Sequence, residues 1–134
     1  MVIEGRSMLE VLTPRECRRL LRSRRVGRVG VVVDGRPEIF PVNYGMLGHD
    51  VVFRTAKGTK LDAAHRWTSV AFEVDSGEDH SRPWSVLVVG VAQELDGEDL
   101  RAARSLPFEP WASGEKGHWL RIVPAKTTGR RLRT

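Results

Sequence analysis

The dipeptide Asp34-Gly35 limits what this chain can become more than any other feature, because it is a favoured pair for the tight turn that joins two antiparallel strands. Residues 27–33 before it are glycine and β-branched except for Arg28, and Glu38-Ile39-Phe40-Pro41-Val42-Asn43-Tyr44 follows it, so a hairpin is expected. Pro41 has no N–H to give a ladder. Its strand is therefore expected at an edge, at a bulge or against a ligand, and not in a fully paired central position. After the turn Gly45-Met46-Leu47-Gly48-His49, residues 50–55 read as a third strand that Lys57-Gly58 breaks. In residues 69–75, Val70, Phe72 and Val74 alternate with Ala71, Glu73 and Asp75, the period of a half-buried strand. Residues 84–95 form a longer strand in which Gly90 can bend a barrel wall. Trp119-Leu120-Arg121-Ile122-Val123 is the last clear strand, with a basic tail expected from Lys126. Strands at this spacing without a βαβ rhythm indicate an antiparallel barrel or sandwich of six or seven strands.

Three short helices complete the reading. Thr13-Pro14-Arg15-Glu16 combines a threonine cap, proline at the first helical position and an acid three residues after the cap; Leu20 and Leu21 continue the apolar stripe to an end near Ser23. Thr59 is placed as the cap of a second helix reaching Trp67, with Asp62 at the capping-box position, and residues 98–104 as a third helix. Ile3-Glu4-Gly5-Arg6-Ser7 reads as a protease-cleavage linker ahead of a natural start at Met8, giving residues 1–7 as linker and 8–134 as one domain. The lone Cys17 has no internal partner, and no apolar run is long enough to cross a bilayer, so a reducing cytoplasm is expected.

The net charge of +5 comes from 22 basic against 17 acidic residues. The arginines between Arg18 and Arg28 and at Arg130, Arg131 and Arg133 read as solvated faces, since nucleic-acid binding requires several phosphate contacts on one surface. Neither nucleic acid nor membrane is an expected partner. His49, His65, His80 and His118 are widely spaced without a metal-ligand pair, no serine lies in a nucleophile elbow, and Cys17 reads as a small core residue.

The most informative stretch is Phe53-Arg54-Thr55-Ala56-Lys57-Gly58-Thr59-Lys60-Leu61, a strand that stops at a glycine and opens a helix. Arg54 can grip two oxygens, Lys60 supplies a point charge, and the hydroxyls of Thr55 and Thr59 add donors, a set suited to a phosphate monoester. The competing reading is that Thr59 only caps the helix while the cations stay solvated. With Leu12-Thr13-Pro14, Gly27-Arg28-Val29-Gly30, the run from Gly35 to Tyr44, Trp84-Ser85-Val86 and Thr128-Gly129-Arg130-Arg131, this stretch resembles the flavin-binding split barrels of the pyridoxamine 5'-phosphate oxidase superfamily.

That resemblance implies a mostly β split barrel acting as an FMN-dependent oxidoreductase on a small molecule, with the deazaflavin coenzyme or a non-catalytic flavin-binding role as alternatives. It assigns Arg54, Thr55, Thr59 and Lys60 to the FMN phosphate and Pro41, Val42 and Asn43 to the isoalloxazine edge, largely through backbone groups. It also implies a homodimer with cofactor sites at the interface, Trp84 and Ser85 being contributed by the partner and Trp111 and Trp119 standing as weaker candidates. Tryptophans in small domains are often core or interface anchors. The chain is shorter than true pyridoxamine phosphate oxidases and lacks their basic substrate-recognition set near the C-terminus, so another substrate is expected. No side-chain catalytic residue is implied, since the cofactor would carry the chemistry.

Overall fold

A computed structural model describes residues 9–63, 69–78, 82–107 and 117–133. Its elements are β1 (Leu9–Val11), α1 (Pro14–Arg22), β2 (Val26–Val33), β3 (Arg36–Leu47), β4 (Asp50–Thr55), α2 (Lys60–Ala63), β5 (Ser69–Asp75), β6 (Trp84–Glu94), α3 (Gly97–Arg104) and β7 (His118–Leu132). The strands follow the order β1-β7-β4-β3-β2-β5-β6, and a further β7–β6 pairing closes six of them into an antiparallel barrel that leaves β1 as an addition.

Local chemistry sets the hairpin. Asp34 and Gly35 both hold positive φ, 52° and 77°, the left-handed pair that matches the twist of two flanking strands. The register then runs from Val33 opposite Arg36 to Val26 opposite Asn43. That phase turns Val29 and Val31 inward, where they meet Val51, Phe53, Phe72, Val74, Val86, Val88, Leu120 and Ile122 in the main core. Each such side chain contributes about 1.5–3 kcal/mol by leaving water.

α1 begins as its residues require: the Thr13 hydroxyl accepts the Glu16 N–H, and Pro14 occupies the first turn. The helix lays Cys17, Leu20 and Leu21 on the barrel, and the buried Tyr44 hydroxyl donates to the Leu21 carbonyl. Glu16 binds Arg19 on its own helix and Arg131 on β7, and these two guanidiniums hold its carboxyl down near a pKa of about 2. A second cluster, Val52, Leu95, Ala103 and Trp119, lies beneath α3 on the outside of β4 and β7.

The basic segment after Lys126 is not a tail. It is the second half of β7, pairing Thr128 with Leu87, Arg130 with Ser85 and Arg131 with Trp84, while Leu9–Val11 joins its other edge. Solvated charges along this stretch mask the strand in the sequence, since ladder hydrogen bonds belong to the backbone and require no apolar side chain. The second helix is described only as far as Ala63, and its expected continuation to Trp67 lies outside the described residues.

Gly90 sits where the β6–β7 register shifts, at an irregularity between Val89 and Gly90. A Cβ placed there would lie 2.1 Å from the Val123 carbonyl oxygen, whereas one at Gly30 would sit 3.8 Å from the Ala71 Cβ, an ordinary contact. Gly90→Ala is expected to cost about 1–3 kcal/mol in urea denaturation, because backbone must move to make room. Gly30→Ala is expected to cost far less, and equal losses would show that the bend at Gly90 is not a tight contact.

Candidate functional site

β3 changes partners along its length, with neither side paired throughout. β2 covers residues 36–43, but β4 meets β3 only from Tyr44 to Leu47, so the first part of β3 has one edge without a strand partner among the described residues. Pro41 lies in that part, which explains how a proline fits a strand that is internal in the sheet order. The three neighbours differ in what they can offer a ligand. Val42 is buried in the core and has only backbone to give, Pro41 is exposed, and Asn43 is half-buried opposite Val26. The Asn43 Oδ1 atom is buried without a hydrogen-bond partner. An orphaned buried acceptor costs about 1–3 kcal/mol unless a donor is supplied to it.

The loop after β4 is close by. Thr55 is buried at the end of that strand, and its hydroxyl lies 3.1 Å from that of Thr59. Thr59 accepts the Asp62 N–H at 3.2 Å and donates to the Ala56 carbonyl at 2.8 Å, so it does cap α2. Asp62 departs from a capping box: its Oδ2 accepts the N–H of Gly58, at 2.9 Å, and not that of Thr59. Lys60 reaches Glu38 on β3 at 3.2 Å, tying the loop to the strand that carries the open edge.

Arg54, one residue before Thr55, projects to the opposite face of the sheet, where its guanidinium lies 5.0 Å from the centre of the Trp119 ring. The structure thus brings Thr55 and Thr59 together, leaves Lys60, next in the chain, reaching to Glu38, and sends Arg54 toward the α3 cluster. Trp119 is only 9% exposed and serves that cluster as a core residue. Trp84 is half-buried with the Arg24 guanidinium 5.3 Å above its ring, and Ser85 is exposed. Both pair with the far end of β7, at Arg131 and Arg130, whereas Thr55 pairs with His118 at its start, so a single chain does not bring them to the loop. Trp111 lies outside the described residues.

One residue here was set aside in the sequence. His118 is buried, with Nδ1 on the Asp62 Oδ1 and Nε2 2.6 Å from the Glu94 Oε2. Its two carboxylate partners lie on α2 and at the end of β6, too far along the chain for a spacing rule to connect them.

A second charged group lies beside Pro41. Arg28, paired with Pro41 across the hairpin, binds Glu73 at 3.2 Å and Asp75 at 3.3 Å. Burial, reinforced by the adjacent Asp75, raises Glu73 to a pKa of about 7 against the opposing pull of Arg28. Burial also opposes charge on Asp75, but the hydrogen bond from Glu73, the Gly77 N–H and Arg28 outweigh it and lower its pKa. The folded state therefore holds a proton at Glu73 that the unfolded chain releases near 4.5. This contribution to stability is fully present below 4.5 and is lost as pH rises through 7. Folding free energy is expected to fall by about 1 kcal/mol or more across that window, and Glu73→Gln to flatten the profile. Urea melts of both proteins between pH 4 and pH 8 test this, and an unchanged slope in the variant would assign the titration elsewhere.

The sequence model of the pyridoxamine 5'-phosphate oxidase family matches residues 13–131. A FAD-binding protein of Mycobacterium smegmatis is 40% identical, superposes with a TM-score of 0.80, and the match covers 92% of this chain and 98% of that one. A structure from Corynebacterium glutamicum is 33% identical with a TM-score of 0.81, covering 94% and 99% of the two chains. An uncharacterised protein of Mycobacterium tuberculosis is 32% identical over 123 residues, or 87% of this chain and 81% of its own. A family match spanning nearly the whole barrel, on a closed six-stranded antiparallel frame with an open stretch of β3, means that this chain belongs to the pyridoxamine 5'-phosphate oxidase family.

Proposed function

We propose that the chain binds a phosphorylated flavin, with the ring along the open edge of β3 and the ribityl phosphate at the loop after β4, and acts as a flavin-dependent oxidoreductase. The observation that carries this reading is the buried, partnerless Oδ1 of Asn43 beside a strand edge that has no strand partner among the described residues. The pyrimidine side of an isoalloxazine ring has an N–H donor flanked by carbonyl acceptors, which suits an orphaned acceptor next to free backbone groups. Thr55, Thr59 and Lys60 give the other end of the ligand two hydroxyls and a cation. When bound, the flavin supplies two-electron transfer to or from a small molecule. The chain's part is to hold the ring by backbone, fix the phosphate and exclude water.

FMN is the smallest ligand that satisfies this arrangement. FAD carries the same ribityl phosphate, and the 40% identical M. smegmatis protein, described as FAD-binding, makes FAD the specific second reading. A homodimer completes the site in this proposal. Val32, Ile39, Leu87, Val91 and Val123 are exposed on the outer barrel wall, where the pairings of Gly30 with Ile39, Gly30 with Ala71 and Ala71 with Val89 align one row across β3, β2, β5 and β6. An apolar wall of this kind is suited to burial against a second copy. A second copy is also the route by which Trp84 and Ser85 would reach a cofactor held by the first.

Absorbance and fluorescence titration with FMN, FAD and the deazaflavin coenzyme tests the reading. Saturable binding of FMN or FAD near one per chain is expected, with Lys60→Ala weakening it about three- to tenfold through the loss of one charged contact. Binding of the deazaflavin alone would replace the cofactor, and binding of none would refute the reading. In sedimentation, Leu87→Glu is expected to shift a dimer toward monomer; a wild-type monomer that binds flavin fully would remove the interface from the proposal.

A further inference from the structure

We infer that His118 is a positioning residue for the phosphate loop, acting through Asp62 and itself braced by Glu94; the inference rests on the proposed phosphate site. Asp62 divides its two oxygens between two tasks: Oδ2 accepts the Gly58 N–H at 2.9 Å, and Oδ1 meets His118 Nδ1. Gly58 holds a positive φ of 80°, the conformation that turns the loop back so that Thr59 faces Thr55. Asp62 therefore anchors the turn at its tightest residue, and its own N–H binds the Thr59 hydroxyl at 3.2 Å. A carboxylate on a short side chain would rotate about its χ angles if only one oxygen were held. The imidazole restrains the second.

His118 is well placed to do this. Its side chain is 8% exposed, it pairs directly with Thr55 across β4 and β7, and its Nε2 is 2.6 Å from Glu94 at the end of β6. The line Glu94–His118–Asp62–Gly58 thus runs from the barrel wall to the turn that spaces Thr55 and Thr59. None of the four needs to touch the ligand. The Thr59 hydroxyl, which donates to the Ala56 carbonyl, can turn its proton to an anion by rotation about one bond, provided the oxygen itself stays in place. Holding that oxygen in place is the work assigned to the His118 line. The neighbouring Trp119 holds Arg54 on the opposite face, so two consecutive residues of β7 anchor the two sides of the strand end.

A merely structural histidine and a positioning one predict different ligand selectivity. Riboflavin and FMN share the ring and ribityl chain and differ by the phosphate, so their affinity ratio isolates the loop. His118→Leu is expected to weaken FMN about tenfold, the worth of one ordered hydrogen bond, with riboflavin affinity changed less than about twofold. His118→Asn, whose amide N–H can take the place of Nδ1, is expected to restore most of the FMN affinity. Parallel losses for FMN and riboflavin, or no loss for FMN, would overturn the assignment. If His118→Leu does not fold, Glu94→Ala decides, because that side chain is 54% exposed and tolerates removal: a phosphate-selective loss of about threefold supports the line, and none overturns it. A wild-type protein that binds riboflavin as tightly as FMN would instead defeat the phosphate-site reading on which the inference stands.

Discussion

β7 pairs with β4 through its first part, with β6 along most of its length and with β1 at its end, and the β7–β6 ladder is what closes the barrel. Closure removes the free edges an open six-stranded sheet would have, and it encloses Phe53, Phe72, Leu120 and Ile122 away from water. The same strand anchors charged side chains near both of its ends. His118 and Trp119 at its start hold Asp62 and Arg54, and Arg131 near its end holds Glu16 on α1. Loss of the β7 register would therefore open the core and release the loop after β4 together. The bend at Gly90 belongs to this constraint, since β6 can follow β7 past Val123 only where no side chain intervenes.

A closed barrel still leaves a local opening at β3, whose first part has β2 as its one strand partner among the described residues. Free backbone groups at a strand edge recruit a partner, and Pro41 and the short length of the opening discourage indiscriminate pairing. The Lys60–Glu38 bridge brings the loop after β4 to this same strand, so an extended ligand with a ring at one end and an anion at the other fits the geometry. The cation on this side of the site is Lys60, already bridged to Glu38, and beside Pro41 Arg28 faces Glu73 and Asp75.

Much of this was legible in the residues. Asp34-Gly35 specified the hairpin, Thr13-Pro14 the start of α1, and the alternation of Val70, Phe72 and Val74 the inward face of β5. These signals are local, resting on φ preference, capping and a period of two. The strand after Lys126 is hidden in the sequence because Gly129, Arg130, Arg131 and Arg133 interrupt any apolar alternation, and its stability comes from pairing with residues some forty positions earlier. Thr55, Thr59 and Lys60 were named from the residues that suit an anion, and Thr59 is found capping α2 with its hydroxyl beside that of Thr55.

Sequence alone determined the class of fold, the elements with strong local signals and the chemical types gathered in the loop after β4. Only the tertiary structure decided which face each loop residue takes, sending Arg54 to Trp119 and Thr55 to Thr59, because the two-residue pleat of β4 acquires an inside and an outside only when the barrel closes. It alone joined Glu94, His118 and Asp62, which are set by the register of β6 against β7 and by the position of α2. It alone left Asn43 Oδ1 buried without a partner, since burial and the absence of a donor are properties of a packed neighbourhood and not of an amino acid in a chain.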